Sequence, residues 1–146
     1  MRQWVVVADS ARARFFSRMG AEGQLQELAD LVNPDGRKPT RELAQDRPGR
    51  SFSPASGSVH HSYETRNDPD EHQMQMFAHE VAERIDEARA QGQFEQLIIV
   101  AAPRFLGELR KRLSANSVDR IVKTLNQDLV RLDPTAISTH LRTASE

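Results

Sequence analysis

The residues with the most obvious chemistry lie in a long polar segment, Asn33 to Asp70, which carries several closely spaced arginines. Guanidinium groups form paired hydrogen bonds with phosphates, a glycine lets the backbone approach a ligand, and an aromatic ring can stack on a base. The segment therefore predicts contact with an anionic partner such as RNA, the ribosome or a phosphate ligand. The candidate binding residues are Arg41, Arg47, Gly49, Arg50 and Phe52.

The same segment also has a structural interpretation. Its arginines could pair with the nearby carboxylates of Asp35, Glu42 and Asp46 in a solvated loop. Repeated prolines and glycines interrupt any regular element, apart from a short helical turn expected over Thr40 to Gln45. A loop of this length inside a compact domain is either functional or disordered.

Catalytic residues do not form a complete set in the sequence. Asp9 ends an apolar run, where nucleases of the ribonuclease H type hold a metal-binding carboxylate, but only Glu80 could join it. A turn residue that hydrogen-bonds the backbone is the simpler interpretation of Asp9. A small hydrolase with the segment as its lid remains an alternative, with Asp9, His60 and His61 as its candidates, although the sequence has no Gly-x-Ser-x-Gly motif.

The histidines do not show the spacing of a metal motif. His72 and His79 are seven positions apart rather than the four of a helical zinc motif, and the adjacent His60 and His61 are typical of a solvated loop. The chain has no cysteine, which excludes disulfides, thiolate ligands and a cysteine nucleophile. We therefore predict neither a metal site nor a cofactor.

Composition limits the class of protein. A chain of 146 residues suits one domain, which we expect to span residues 1–146. Its formal net charge of -1 argues against a globally basic nucleic-acid binder, although local patches remain possible. The apolar run at the N-terminus is too short for a signal peptide, and no stretch reaches the ~20 apolar residues of a membrane span. We expect a cytoplasmic protein of unspecified oligomeric state.

Hydrophobic patterns predict the elements that must position these residues. Trp4 to Ala8 is continuously apolar, as in a buried strand, and Arg12 to Arg18 alternates, as in a strand paired back on the first. Leu25 to Val32 predicts a third strand. Phe94 to Ala101 and Val118 to Leu125 predict two more.

Three helices are expected between and after these strands. Asp68-Pro69-Asp70-Glu71 is a strong helix start, and Gly92 ends that helix. Its apolar face comprises Met74, Phe77, Ala78, Val81, Ile85 and Ala88. Two further helices begin at Pro103 and Pro134. The order βββ-α-β-α-β-α predicts an α/β fold with a mixed, ribonuclease H-like sheet, in which the right-handed crossover places the fourth strand parallel to the first.

Several motifs in one order resemble the bacterial family of host attachment proteins, described as required for attachment to host cells. They are Trp4-Val5-Val6-Val7-Ala8-Asp9 followed by Ala11-Arg12-Ala13-Arg14, Asp46-Arg47-Pro48-Gly49-Arg50, Phe77 to Ala82, and Leu97-Ile98-Ile99-Val100-Ala101-Ala102-Pro103 with Leu106-Gly107 and Leu109-Arg110. The resemblance covers nearly the whole chain. Arg14, within the first of these motifs, joins the binding candidates.

The resemblance implies a fold similar to the middle domain of archaeal and eukaryotic class 1 release factors. That domain works through a Gly-Gly-Gln loop, whereas this chain has only Glu22-Gly23-Gln24 and Gln91-Gly92-Gln93. Peptidyl-tRNA hydrolysis by that motif is therefore not expected. We predict a non-catalytic binding module, with a hydrolase or a protein-binding scaffold of the attachment pathway as alternatives.

Overall fold

The computed structural model describes residues 1–33 and 69–144, with the side chains of 69 and 70 excepted. Within these ranges the chain forms five strands and four helices. The strands are β1 (Arg2–Ala8), β2 (Arg12–Met19), β3 (Gln26–Val32), β4 (Gln96–Ala101) and β5 (Ile121–Leu125). The helices are α1 (Pro69–Ala90), α2 (Pro103–Arg112), α3 (Ala115–Val118) and α4 (Pro134–Ala144).

The strands form one mixed sheet in the order β3-β2-β1-β4-β5. β2 is antiparallel to both of its neighbours, whereas β1, β4 and β5 are parallel to one another. This strand order and the single reversed strand are those of the ribonuclease H-like architecture, so the predicted fold class is confirmed. The carboxyl ends of β1 and β4 consequently lie side by side at one edge of the sheet.

The two central strands are apolar on both faces because helices cover both faces. Trp4, Val6 and Phe15 belong to one buried cluster, which the apolar sides of α1 and α2 complete. Val5 and Val7 belong to a second cluster on the opposite face, completed by α4 and the segment before it. The predicted inward residues of α1 are all buried, which confirms their assignment to the core, and Ile137 and Leu141 of α4 are buried as well.

The starts of α1 and α4 follow their sequence signals, whereas one strand begins later than expected. α1 begins at Pro69 as expected, and Asp133 caps α4 through a 2.8 Å bond from the Ala136 N–H to its Oδ1. The strand expected from Val118 begins only at Ile121, which corrects that boundary. The preceding residues instead form the short helix α3, because the Ser114 hydroxyl accepts the N–H of Ser117 at 3.3 Å.

Two other expectations lie outside the described residues, namely the helical turn over Thr40 to Gln45 and the cap at Asp68. In the part of the chain that the structure describes, no helix is both long enough and apolar enough to span a membrane.

Candidate functional site: the cleft at the carboxyl ends of β1 and β4

A cavity of about 270 Å³ opens at the sheet edge where β1 and β4 end. The chain leaves β1 towards β2 on one side and leaves β4 towards α2 on the other, so the two connections diverge around a crevice. Open α/β sheets bind ligands at such switch points. The cavity has an apolar part made by Met74, Ala102 and Phe105, and a polar part made by Asp9, Ser10, Glu71 and Arg104. We call this cavity the edge cleft.

The β1–β2 turn forms one wall of the edge cleft, and Asp9 fixes its shape. The Asp9 Oδ1 accepts the N–H groups of Ala11 at 2.8 Å and of Arg12 at 2.9 Å. The Asp9 N–H donates in return to the Arg12 carbonyl at 2.9 Å. These bonds match the expectation that Asp9 is a turn residue, since one carboxylate oxygen is occupied by the backbone of its own turn.

Asn33 attaches the end of β3 to the same turn. Its Nδ2 donates to the Ser10 carbonyl at 3.0 Å, and its N–H donates to the Ala11 carbonyl at 2.9 Å. Asn33 is only 7% exposed, so its amide is a buried polar group that is hydrogen-bonded as such groups require. The chain therefore leaves β3 directly beside the Ser10 side of the cleft.

The opposite wall comes from the first turns of α1 and α2. An Arg104 Nη2 lies 3.5 Å from a Glu71 Oε1, and 67% of the Arg104 side chain is exposed. This ion pair joins the two helix starts within that wall, but solvent screening reduces the contribution of such exposed pairs to stability. The described rim thus carries two carboxylates, Asp9 and Glu71, against the one guanidinium of Arg104.

Most of the predicted site residues fall between the described ranges. Arg41, Arg47, Gly49, Arg50, Phe52, His60 and His61 all lie in 34–68, outside the described residues. Their contribution to binding or catalysis stays a prediction. What the structure does give is the position of both attachment points of that segment, which are Asn33 at the turn and α1 with Glu71 at the opposite wall.

Arg14, a predicted binding residue, is buried, and its guanidinium is bonded to other parts of the protein. Its guanidinium forms a bidentate pair with Glu27, with both nitrogen–oxygen distances 2.9 Å. One Nη also donates to the carbonyls of Val130 at 2.9 Å and Leu132 at 2.5 Å. Arg14 is 6% exposed, and its charge also lies 5.1 Å from the ring centre of Phe16. The structure therefore assigns this arginine to joining β2, β3 and the segment before α4.

The histidines of α1 point towards solvent. His79 pairs with Glu83 one turn later at 3.3 Å, and both side chains are mostly exposed. His72, His79 and Glu80 border a wide groove on the outer side of the helix. Across residues 1–33 and 69–144, no three His, Cys, Asp or Glu side chains converge as metal ligands would.

Sequence reasoning did not identify two buried polar residues. Asn33 was expected only as the first residue of the polar segment, although an asparagine directly after a strand is a common backbone partner. Arg18 is 8% exposed, and its Nε donates to the Gln3 Oε1 at 2.8 Å. Burial lowers the pKa of Arg18, and nothing local in the sequence signals that a polar end of this strand is covered.

These features define an α/β protein of ribonuclease H-like topology, with a cleft at the carboxyl ends of its parallel strands. The chain belongs to the family described as "Protein required for attachment to host cells", whose model matches residues 4–141. This match confirms the resemblance found in the sequence motifs. No curated protein matches the chain.

Solved structures with a similar fold are distant in sequence. An archaeal protein shares 10% identity over 98% of this chain and 36% of its own, with a TM-score of 0.48. The archaeal translation termination factor aRF1 shares 13% identity over 99% of this chain and 39% of its own, with a TM-score of 0.46. The type II variant of the Aquifex aeolicus Ppx/GppA phosphatase shares 12% identity over 86% and 35%, with a TM-score of 0.41. The chain spans little more than a third of the length of these proteins, and similarity at this level says nothing about function.

Proposed function

We propose that this host attachment family protein is a non-catalytic binding module whose arginine-rich segment contacts RNA, on the ribosome or free. The observation that supports the proposal is that the described residues before and after the segment lie at opposite walls of the edge cleft. Asn33 binds the turn at Ser10, and Glu71 lies in the first turn of the helix that follows the segment. The described residues on either side of the segment therefore lie at the edge where open α/β sheets bind their ligands, which supports the proposal.

The charges of the described cleft wall support a cationic role for the segment rather than for the wall itself. Asp9 and Glu71 outnumber Arg104 on the described rim, so the rim alone does not attract an anion. The segment carries Arg37, Lys38, Arg41, Arg47 and Arg50 within 14 positions. Arginine pairs bidentately with phosphate oxygens, and RNA offers these at every nucleotide.

The described residues give less support to catalysis. One oxygen of Asp9 holds its own turn, and Glu71 is paired with Arg104. A hydrolytic site needs an activated nucleophile with a positioned base, or converging carboxylates that hold metal ions. The proposal comprises one domain over residues 1–146, with the segment as part of it, and a location in the cytoplasm, where ribosomes are found.

Sedimentation of the tagged protein from lysate tests this function. We expect the wild type to migrate with ribosomes or RNA in a sucrose gradient at low salt, and to be released by ribonuclease or by moderate salt. The double substitution Arg47→Ala/Arg50→Ala should migrate as free protein. Arg131→Ala/Arg142→Ala is the matched control, since it removes two exposed charges before and within α4, on the sheet face opposite α1 and α2, and should still co-migrate.

The gradient separates two of the competing functions, and a separate substrate assay tests the third. Migration of the wild type as a small free protein under every condition would reject RNA and ribosome binding. Co-migration with another protein that persists after ribonuclease treatment would favour a protein-binding scaffold of the attachment pathway. Turnover of a phosphate or ester substrate that is lost on substitution of the segment would favour the hydrolase.

A further inference from the structure

Arg18, Gln3 and Gln96 form one polar row across neighbouring strands of the sheet. Gln3 lies opposite Arg18 in the pairing of β1 with β2, and opposite Gln96 in the pairing of β1 with β4. The row lies where β1 and β4 begin, at the end of the sheet opposite the edge cleft. It shares a face with Val5, whose buried cluster α4 completes. Arg18 and Gln3 are each more than nine-tenths buried.

The hydrogen bonds of this row run in one direction. The Arg18 Nε donates to the Gln3 Oε1 at 2.8 Å, and the Gln3 Nε2 donates to the Gln96 Oε1 at 2.8 Å. An arginine can only donate, so the Gln3 amide must accept through its oxygen and donate through its nitrogen, and the Gln96 amide must accept in turn. Both amide oxygens of the row are therefore engaged by this chain of bonds.

The outer nitrogens of the guanidinium have no acceptor in residues 1–33 and 69–144. Within these ranges the side chain of Arg18 has one hydrogen bond, from Nε, so the N–H groups of Nη1 and Nη2 are unpaired there. Burial lowers the pKa of this arginine, and the opposing effect of the Glu22 carboxylate is smaller. Buried polar groups are otherwise hydrogen-bonded, so the row lacks a group that only accepts.

The neighbouring arginines show what is missing. Arg12 and Arg14 lie on the same face of β2 as Arg18, and each is paired with a carboxylate of β3. β3 begins only at Gln26, and the residue before it, Leu25, is buried and apolar. The strand that neutralises the other two arginines therefore offers Arg18 no carboxylate.

We propose that the guanidinium of Arg18 binds a small oxyanion, a phosphate or a carboxylate group, through Nη1 and Nη2. Guanidinium nitrogens form paired hydrogen bonds with either group. Gln3 is a positioning residue, because its bond to Nε fixes the plane in which the remaining N–H groups lie. The bound charge also neutralises a cation that burial penalises. This site is separate from the edge cleft and does not depend on RNA binding.

Thermal unfolding in dilute anion tests the site, because a ligand that binds only the folded protein raises its melting temperature. Melting curves of the wild type are recorded in sodium phosphate, sodium acetate and sodium chloride at equal ionic strength. An anion with a Kd of about 1 mM, added at about 10 mM, favours the folded state about 11-fold and raises Tm by roughly 3–6 °C. We expect this rise in phosphate or acetate over chloride, and the salt that acts identifies the group that binds.

Two substitutions of Arg18 separate specific binding from general salt effects. Arg18→Met removes the fork and should fold, because the cation that it replaces is desolvated and has one hydrogen bond. It should keep only the stabilisation that phosphate gives any protein by exclusion from its surface. Arg18→Lys retains the charge without the fork and should lose most of the specific rise. It carries the test if Arg18→Met does not fold.

Arg110→Met is the matched control. Arg110 is an exposed arginine of α2, which packs on the other face of the sheet, so this variant should respond to anions as the wild type does. An anion-specific rise in the wild type and in Arg110→Met that is lost in Arg18→Met and reduced in Arg18→Lys supports the site. Equal melting temperatures in the three salts, or a rise of the same size in the Arg18 variants, would overturn it.

Discussion

Arg14 and Arg18 point to the same face of β2, and both are more than nine-tenths buried, at 6% and 8% exposure. They differ in their partners. Arg14 is paired with Glu27 and two carbonyls, whereas the only acceptor of Arg18 among the described residues is the amide oxygen of Gln3. Replacing each arginine by methionine therefore separates the contribution of a guanidinium hydrogen-bonded to a carboxylate from that of one hydrogen-bonded only to an amide.

The two substitutions should have very different effects on the free energy of unfolding. Arg14→Met leaves the Glu27 carboxylate and two carbonyls without their donors, and breaking such a pair costs about 3–5 kcal/mol. The Glu27 side chain is 33% exposed, so hydration offsets part of this loss and we expect about 3 kcal/mol. Arg18→Met removes a desolvated cation at the expense of one bond to Gln3, and should stay within about 1 kcal/mol of the wild type.

Urea unfolding followed by circular dichroism measures both values, and an unchanged slope with denaturant shows that the unfolded state is comparable. At about 2–4 °C per kcal/mol, Arg14→Met should melt roughly 6–12 °C below the wild type. Equal losses in the two variants, or a loss below about 1 kcal/mol in Arg14→Met, would refute the reasoning that partners rather than burial decide the effect.

Three further predictions concern single residues. Hydrogen bonds from Arg14 hold the pKa of Glu27 below its ordinary 4.5, so this carboxylate stabilises the fold when it is ionised. The wild type should therefore lose stability as the pH falls below 4.5. In urea titrations across the same pH range Glu27→Gln should lose less stability than the wild type, and an identical pH dependence would contradict this. Asp9→Ala removes the acceptor of two backbone N–H groups and should lower the free energy of unfolding by about 1–2 kcal/mol. Asp9→Asn keeps an acceptor oxygen and should lose less than half of that. Equal denaturation midpoints for the two variants would argue against the turn role. A Cβ on Gly23 would lie 2.5 Å from the Met19 carbonyl oxygen, so Gly23→Ala should lose about 1–3 kcal/mol in thermal melts, and an unchanged melting temperature would show that the turn adapts.

Elements whose pattern reflects burial were predictable from the sequence. Trp4 to Ala8 and Leu97 to Ala101 are apolar on both faces, and the structure confirms two adjacent parallel strands covered by helices. The apolar spacing of α1 likewise predicted its buried face. The exception at Val118 has a tertiary cause, because Asp86 of α1 accepts the N–H and the hydroxyl of Ser114 and so fixes the cap of α3. A contact across 28 residues is not visible in a local pattern.

The site was predictable only in part, for the same physical reason. Asp9 was interpreted as a turn residue from its position after a strand, and its bonds to Ala11 and Arg12 agree. The alternating pattern of Arg12 to Arg18 predicted a strand, but the carbonyls that bind Arg14 come from residues more than a hundred positions later. The role of Asn33 depends on the β1–β2 turn lying beside the end of β3, which only the folded sheet shows.

The central claim, that the arginine-rich segment binds RNA through its phosphates, is tested most directly by the salt dependence of affinity. Each phosphate contact on a single strand contributes about 0.7 to the slope of log affinity against log salt. If Arg47 and Arg50 each hold one phosphate, Arg47→Ala/Arg50→Ala should bind more weakly, with a slope shallower by about 1.4. An unchanged slope and affinity in that variant, with Arg131→Ala/Arg142→Ala measured alongside, would contradict the account.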